Sequence, residues 1–374
     1  MRIAVIGTRG YPYVYSGYET FVSELAPRLN AKGHEVTVYC HRSLFHQHLS
    51  IVNGVSLCYL PAIERKIFSQ FSHSLLATIH ALFCKYDVLL YVNSANGPFG
   101  LLPKLVGQKT AINVDGVEWL RPKWKGLGSR YFKFASYLST KLFDRVITDS
   151  IEMARIYEEV FHAQSVTIAY GAKAAWSKKP ELIQEFGLQP DQYYLVVGRL
   201  IPDNNADLIV KGFLNSASKR KLVIVGDVPY RDAYATQIRN IADERVVFTG
   251  YIRDPEMLQE LYCNSFVYIH GHEFGGTNPS LLTALSSGCC VAALDTRFSR
   301  EVLADHEHGV YFKKDPADVA AVLSDLERDP EAVNSFRLRA RDRILSRYTW
   351  EKIADEYEQL FLSLGTSFLI PSRK

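Results

Sequence analysis

The chain has 374 residues, enough for two ordinary domains that need no disulfide or metal staple. Its 47% apolar and 22% charged residues are globular proportions that exclude long disorder. The net charge of +3 is too small to point to nucleic acid, but it is uneven: residues 1–170 hold 18 Lys/Arg against 12 Asp/Glu, and residues 171–374 hold 25 against 28, so the first half suits an anionic partner.

Arg2–Ile6 reads as a short apolar strand, broken by Gly7 too soon for a signal peptide. Tyr18–Lys32 has helical periodicity and stops at Gly33. Glu35–Cys40 alternates like a strand. Ser72–Cys84 is helical, and Asp87–Val92 and Thr110–Val114 are buried strands. Ser129–Leu142 is helical, Arg145–Thr148 a strand, Ile151–Phe161 a helix and Ser165–Ala169 a strand. This alternation predicts a parallel sheet covered on both faces.

The pattern restarts with a strand at Tyr193–Val197, a helix at Ala206–Ser216 and a strand at Lys221–Val225. A helix at Ala233–Ala242, a strand at Val246–Phe248 and a helix at Pro255–Tyr262 follow. The series ends with a strand at Phe266–Ile269, a helix at Ser280–Ser287 and a strand at Cys290–Leu294. The fold class is therefore α/β, with two doubly wound domains at 1–170 and 171–349, joined near Gly171–Gln189. A last helix at Trp350–Leu362, within 350–374, is free to cross back to the first domain. No run reaches the roughly 18 apolar residues of a membrane span. The six cysteines form no C-x-x-C pair and read as buried, reduced thiols, which excludes a structural zinc site.

Doubly wound sheets bind ligands at the carboxyl ends of their strands. The first strand ends in Gly7-Thr8-Arg9-Gly10, and Ser16-Gly17-Tyr18-Glu19 opens a helix. Small residues there let backbone N–H groups approach an anion, although a plain tight turn fits as well. The pattern is not G-x-G-x-x-G, and no acid ends the second strand, so a nicotinamide or flavin cofactor is poorly supported. Residues Asn113 to Trp124 gather Asp115, Glu118, Arg121, Lys123, Trp119 and Trp124 after an apolar strand. That mixture suits carbohydrate: indoles stack on sugar rings and carboxylates accept hydroxyl protons. A solvated loop anchored by its tryptophans is the other reading.

Arg199, after Gly198 at the end of a strand, can grip a diphosphate bidentately, or it is a surface arginine. The stretch His270-Gly271-His272-Glu273-Phe274-Gly275-Gly276-Thr277-Asn278-Pro279-Ser280-Leu281 leads into a helix whose bare N-terminal N–H groups would complete a diphosphate cradle without metal. His270 and His272, two apart, lack further matching ligands, so no metal is expected.

On Gly7-Thr8-Arg9-Gly10, Ser16-Gly17-Tyr18-Glu19-Thr20, Asn113-Val114-Asp115-Gly116 with Glu118-Trp119, Gly198-Arg199 and Gly275-Gly276-Thr277-Asn278-Pro279-Ser280, the chain resembles a retaining glycosyltransferase of GT-B fold. The nearest branch is the bacterial rhamnosyltransferase-like group that builds surface polysaccharides. The resemblance implies two Rossmann-like domains facing a central cleft. The partners it implies are a nucleoside-diphosphate sugar donor (the sugar being one such as L-rhamnose), a lipid-linked saccharide acceptor and a membrane surface, with no cofactor. It implies a cytoplasmic protein, peripheral on the inner face of the membrane. Trp119 to Lys125 and Arg130 to Phe134, cations mixed with aromatics, have the composition of an interfacial patch, or are an ordinary solvated helix.

The implied catalytic set is Asp115, Glu118, Arg199, His272 and Glu273. The implied donor set is Gly10, Ser16, Gly17, Arg199, Asn204, Tyr251, Gly276, Thr277, Asn278, Pro279, Ser280, Leu281 and Thr283. Asp115 and Glu118 would orient the acceptor and the transferring sugar. Arg199 and the Thr277–Leu281 N–H groups would take the diphosphate, and the base would lie on Tyr251. The departing phosphate would itself help take the acceptor proton.

The chain departs from the pattern in two places, in its first loop and at Thr283, and differs from many relatives in a third that the rhamnosyltransferase-like branch shares. Ser16-Gly17-Tyr18-Glu19 replaces Gly-Gly-Phe-Glu, Asp203-Asn204-Asn205 stands where many relatives have a phosphate-binding lysine, and Thr283 stands where a ribose-binding glutamate is usual. A threonine hydroxyl cannot make the charge-assisted pair. Two rival readings follow: an inactive relative that only binds sugar nucleotide or a partner, and a sugar-nucleotide epimerase. A nicotinamide oxidoreductase is more distant.

Overall fold

The first strand, β1 (Arg2–Ile6), is apolar over four consecutive buried residues, as a strand covered on both sheet faces must be. The computed structural model describes residues 1–12, 17–63, 65, 68–121, 126–228 and 232–366. After β1 come α1 (Gly17–Ala31), β2 (Glu35–His41), β3 (Ile51–Val52), β4 (Val55–Leu60), α2 (Phe68–Leu82) and β5 (Val88–Val92). Then follow α3 (Leu101–Leu105), β6 (Thr110–Val114), α4 (Leu127–Leu142), β7 (Arg145–Thr148), α5 (Ile151–Phe161) and β8 (Val166–Thr167). These build an eight-stranded sheet in the order β3-β4-β2-β1-β5-β6-β7-β8.

The second run is β9 (Tyr193–Val197), α6 (Ala206–Asn215), β10 (Lys221–Val225), α7 (Ala233–Ile241), β11 (Val246–Gly250), α8 (Pro255–Cys263) and β12 (Val267–His270). It continues with α9 (Pro279–Ser286), β13 (Val291–Leu294), α10 (Arg297–Leu303), β14 (Val310–Phe312), α11 (Pro316–Arg328) and α12 (Pro330–Arg347). The sheet is six-stranded and parallel, in the order β11-β10-β9-β12-β13-β14. Both sheets are Rossmann-like, each with one point where the strand order reverses.

The chain divides into two compact units, residues 1–170 with 350–374, and residues 171–349. The last helix, α13 (Trp350–Thr366), belongs to the first unit. Phe21 of α1 meets the Tyr357 ring at 5.3 Å, and the buried Asn113 side chain donates to the Tyr357 hydroxyl at 2.6 Å. Around this apolar seam, Arg28 pairs with Glu351 at 2.9 Å and Lys32 with Glu358 at 2.9 Å.

The structure adds elements that the sequence reading passes over. Residues 51–60 form an antiparallel hairpin, so the first sheet is not wholly parallel. Its turn is Asn53-Gly54, both with positive φ (49° and 79°), as the tight right-twisting hairpin turn demands. β14 extends the second sheet past the last expected strand. Pro316 and Pro330, each at a helix start, open α11 and α12; proline's fixed φ suits that position. The strand expected over Ser165–Ala169 is ladder-paired only at Val166 and Thr167, because it ends the sheet as an edge. All six cysteines are free, but Cys58, Cys84 and Cys263 are half-buried rather than buried.

Candidate active site

In the second sheet the strand order reverses between β9 and β12, and the crevice beyond their carboxyl ends is where such a sheet takes a ligand. Gly198-Arg199 leaves β9 there, and His270-Gly271-His272 leaves β12. Arg199 is exposed. Gly198, Arg199, Asn204 and His272 line one small depression. His272 also lines its neighbour, together with Gly275, Gly276, Asn278, Leu281, Phe298 and Ser299. The structure thus brings together, within one unit, six of the residues singled out from sequence: Arg199, Asn204, His272, Gly276, Asn278 and Leu281. A Cβ on Gly198 would lie 3.0 Å from the His272 ring and 3.2 Å from the Asn204 amide, so a larger residue would push these two side chains apart.

Asn204 is a shaping residue: its amide donates to the Arg199 carbonyl at 2.9 Å and fixes the turn carrying the guanidinium. The His272 ring stacks on His270 at 4.5 Å and 13°. His270 is buried, and burial first, then His272, holds its imidazole well below its ordinary pKa, so it is neutral. The Tyr268 hydroxyl, 3.2 Å from His270 Nδ1, donates to Ser280 Oγ at 3.0 Å; Ser280 Oγ in turn donates to Asn278 Oδ1 at 2.8 Å. This half-buried chain ties the His270–His272 stack to the start of α9. Tyr268 is absent from the sequence reading, since an inward tyrosine in an apolar strand looks like core.

The start of α9 is not bare. Pro279 has no N–H; the Ser280 N–H is taken by the Asn278 side chain at 3.0 Å, and the Leu281 N–H by the Asn278 carbonyl at 3.1 Å. Asn-Pro-Ser is a self-capping sequence, and it consumes donors that the sequence reading left for a diphosphate. What remains for an anion is the glycine turn before it, where Gly275 has φ 115°. Thr283 likewise turns inward on its own helix, donating to the Pro279 carbonyl at 2.9 Å.

Glu273 is ion-paired with Lys314 at 2.6 Å, a partner that its sequence neighbourhood does not reveal. Tyr251 follows β11, the edge strand, with β10 between it and β9; it is 71% exposed and lines neither depression.

In the first unit the order reverses between β1 and β5. Gly7, with φ 102°, sits there so tightly that a Cβ would come 2.5 Å from the Asn96 amide and the Val92 carbonyl. Gly10 abuts the Phe45 ring, and Gly17 begins α1; Ser16 lies outside the described residues. The buried Glu19 carboxylate accepts the Arg9 N–H at 3.0 Å and pins the loop.

Asp115 follows β6, and both of its oxygens are engaged. Tyr18 of α1 donates to one and Tyr170 to the other, the latter at 2.9 Å. Burial pushes the carboxyl above its ordinary pKa, while the two phenols and Arg121 oppose this. Glu118 pairs with Arg121 at 3.0 Å. Trp119 is no sugar platform: it is buried, with its ring 5.9 Å from Tyr157 and 5.4 Å from Phe161. An apolar indole beside two inward aromatics joins the core. Of the expected interfacial patch, Pro122 to Lys125 lie outside the described residues, Arg130, Lys133 and Phe134 are exposed, and Tyr131 and Phe132 are half-buried.

Residues 191–329 match the family model "Glycosyl transferases group 1", and residues 15–171 match "Glycosyltransferase Family 4". A Campylobacter jejuni N-acetylgalactosamine-N,N'-diacetylbacillosaminyl-diphospho-undecaprenol 4-alpha-N-acetylgalactosaminyltransferase is 27% identical over 156 residues, which is 41% of this chain and 42% of that protein. The chain therefore aligns with less than half the length of that relative. Among solved structures, sucrose-phosphate synthase from Thermosynechococcus elongatus superposes with a TM-score of 0.82 at 19% identity, covering 97% of this chain and 98% of the other. Anabaena HepE in complex with UDP gives 0.78 at 14% identity, covering 97% and 100%. Starch synthase IV from Arabidopsis thaliana, bound to ADP and acarbose, gives 0.74 at 13% identity, covering 98% and 99%. The two family models, both of glycosyltransferases, between them take in well over half of the sequence, each on its own Rossmann-like sheet, and the fold is that of the GT-B glycosyltransferases.

Proposed function

We propose that the protein transfers a sugar, with retention, from a nucleoside-diphosphate donor to a lipid-linked saccharide at the inner face of the membrane. The observation that carries this reading is the convergence of exposed Arg199, His272 and the Gly275-Gly276 turn at the reversal point of the second sheet. A cation beside unencumbered glycine backbone suits a diphosphate better than a neutral ligand. The UDP held by HepE supports a nucleoside-diphosphate donor, and the diphospho-undecaprenol in the Campylobacter protein's name supports a lipid-borne acceptor. L-rhamnose remains the sugar suggested by the branch that the motifs resemble.

In the reaction, the bond between the sugar C1 and the donor phosphate oxygen breaks, and its electron pair leaves with the diphosphate. Arg199 and the glycine turn meet that growing charge with donors already in place. The acceptor oxygen forms the new bond to C1, and its proton passes to the departing phosphate. His272 and Glu273 orient the sugar, Glu273 being steadied by Lys314. Gly276, in the glycine turn, serves the donor with its backbone. Asp115 and Glu118, each held by neighbours in its own unit, present oxygens to the acceptor.

A panel of nucleotide sugars, screened for thermal stabilisation, tests the donor site. At a hundredfold excess over Kd, a true donor adds about 2.7 kcal/mol to native stability. The matching nucleoside diphosphate should stabilise too, and both shifts should persist in EDTA. No stabilisation by any nucleotide sugar, or a shift that needs magnesium or manganese, would contradict the cradle described.

A further inference from the structure

Helix α2 wears its faces the wrong way round for a water-exposed helix. Its buried side is His73, Ser74, Ala77, Thr78 and Ala81, small or polar throughout. Its outward side is Phe68, Leu75, Leu76 and Ile79, continued by Phe83, which is 83% exposed. At the helical repeat these five fall within an arc of about 100°. An ordinary surface helix buries its leucines and exposes its serines. Here the apolar stripe needs a cover.

The stripe has apolar neighbours. α3 packs against α2 and exposes Leu101, Leu105 and Val106, Leu105 being 73% exposed. α4 meets α2 where the Phe71 and Tyr131 rings lie 5.2 Å apart, and it exposes Leu127, Phe134 and Tyr137 between Arg130, Lys133 and Lys141. Lys104 of α3 donates to the Lys141 carbonyl and links α3 to α4.

Charge says what the cover is. Among the described residues from Phe68 to Phe143, Lys85, Lys104, Arg130, Lys133 and Lys141 are exposed cations, against the acids Asp87, Asp115 and Glu118. Those acids are already engaged: Asp115 by two tyrosines, Glu118 by Arg121 and Asp87 by the Arg2 N–H. A face that pairs with a second copy of itself would set like charges together. Leucines and phenylalanines ringed by cations instead complement an anionic lipid surface, where the apolar side chains enter the acyl boundary and the lysines reach the headgroups. Among the described residues no helix is long and apolar enough to cross a membrane, so α2 would lie in the interface.

We infer that the α2–α3 face, flanked by the cations of α4, docks the first unit on anionic bilayers. The inference deepens the reading of a lipid-borne acceptor and rests on it for its purpose. Vesicle binding, however, is read without donor or acceptor, so either can fail alone.

The test is co-sedimentation with vesicles of phosphatidylcholine, with and without phosphatidylglycerol. The wild-type chain should partition onto the phosphatidylglycerol vesicles and release as salt rises. The triple variant Leu75→Gln, Ile79→Gln, Phe83→Ser changes only outward side chains and should bind at least about tenfold more weakly, as loss of three buried apolar groups requires. Its far-UV circular dichroism and cooperative unfolding should stay as in wild type, which shows that it is folded. Leu338→Gln, at an 80% exposed position on α12 of the other unit, should bind as wild type. Equal binding by the triple variant, or no binding of wild type to either vesicle, overturns the inference. So does a wild-type dimer in sedimentation that the triple variant turns into a monomer.

Discussion

Replacing Arg199 with alanine should lower transfer by about 10²- to 10³-fold, the scale for losing one preorganised donor at a charge that grows in the transition state. The side chain is exposed, so the fold should not notice. The turn that carries it is held by main-chain and Asn204 hydrogen bonds, which alanine keeps. The loss should therefore appear chiefly in kcat, with unfolding midpoints unchanged. Arg199→Lys should recover only part, because an ammonium keeps the charge and forfeits the planar fork. A folded alanine variant with wild-type turnover would remove Arg199 from the diphosphate.

The second large effect is expected at Asp115. Asp115→Asn keeps the shape but loses the charge and one acceptor, so one of the Tyr18 and Tyr170 hydroxyls is left without its partner. A buried orphan of that kind costs about 1–3 kcal/mol. Displacing the β6 loop should cost turnover on the order of 10²-fold. Nucleotide affinity, which we propose is seated on the second unit, should barely change; its loss would place Asp115 on the donor.

The pH dependence has a definite sign. Burial raises the Asp115 carboxyl's pKa, so the folded protein binds that proton more tightly than the unfolded chain. Wild type then loses stability as pH climbs from the ordinary carboxylate range through the raised value. Asparagine does not titrate, so the variant's deficit should narrow above that window. Chemical denaturation of both proteins across acid pH measures it.

The strands were legible wherever burial on both faces makes a continuous apolar run: Arg2–Ile6, Thr110–Val114, Tyr193–Val197 and Lys221–Val225 are read from sequence to the residue. Edges were read less well: β3 and β14, two and three residues long at sheet margins, were passed over, and β8 was expected longer than its two paired residues. The strand-end positions of Gly7, Gly198 and Arg199 were legible because each follows an apolar run that must be a strand. Capping defeated the reading at α9: Asn278 was seen as a donor-binding residue, but its side chain serves Ser280. Trp119 misled for a related reason, because sequence does not say which way an indole beside charged residues turns. Long-range partners such as Lys314 for Glu273, or Tyr18 and Tyr170 for Asp115, lie 41 to 97 residues away and leave no local mark.

The central claim is acceptor-dependent glycosyl transfer. Its most direct measurement supplies a labelled nucleotide sugar that stabilises the protein, together with an undecaprenyl-diphosphate-linked saccharide, and follows both products. The account predicts label in the lipid fraction, nucleoside diphosphate released in equal amount, and neither product without acceptor. A new nucleotide sugar formed with no acceptor present would make the protein an epimerase. Tight donor binding with no turnover on any lipid-linked saccharide would make it a binding protein, and either result contradicts the account.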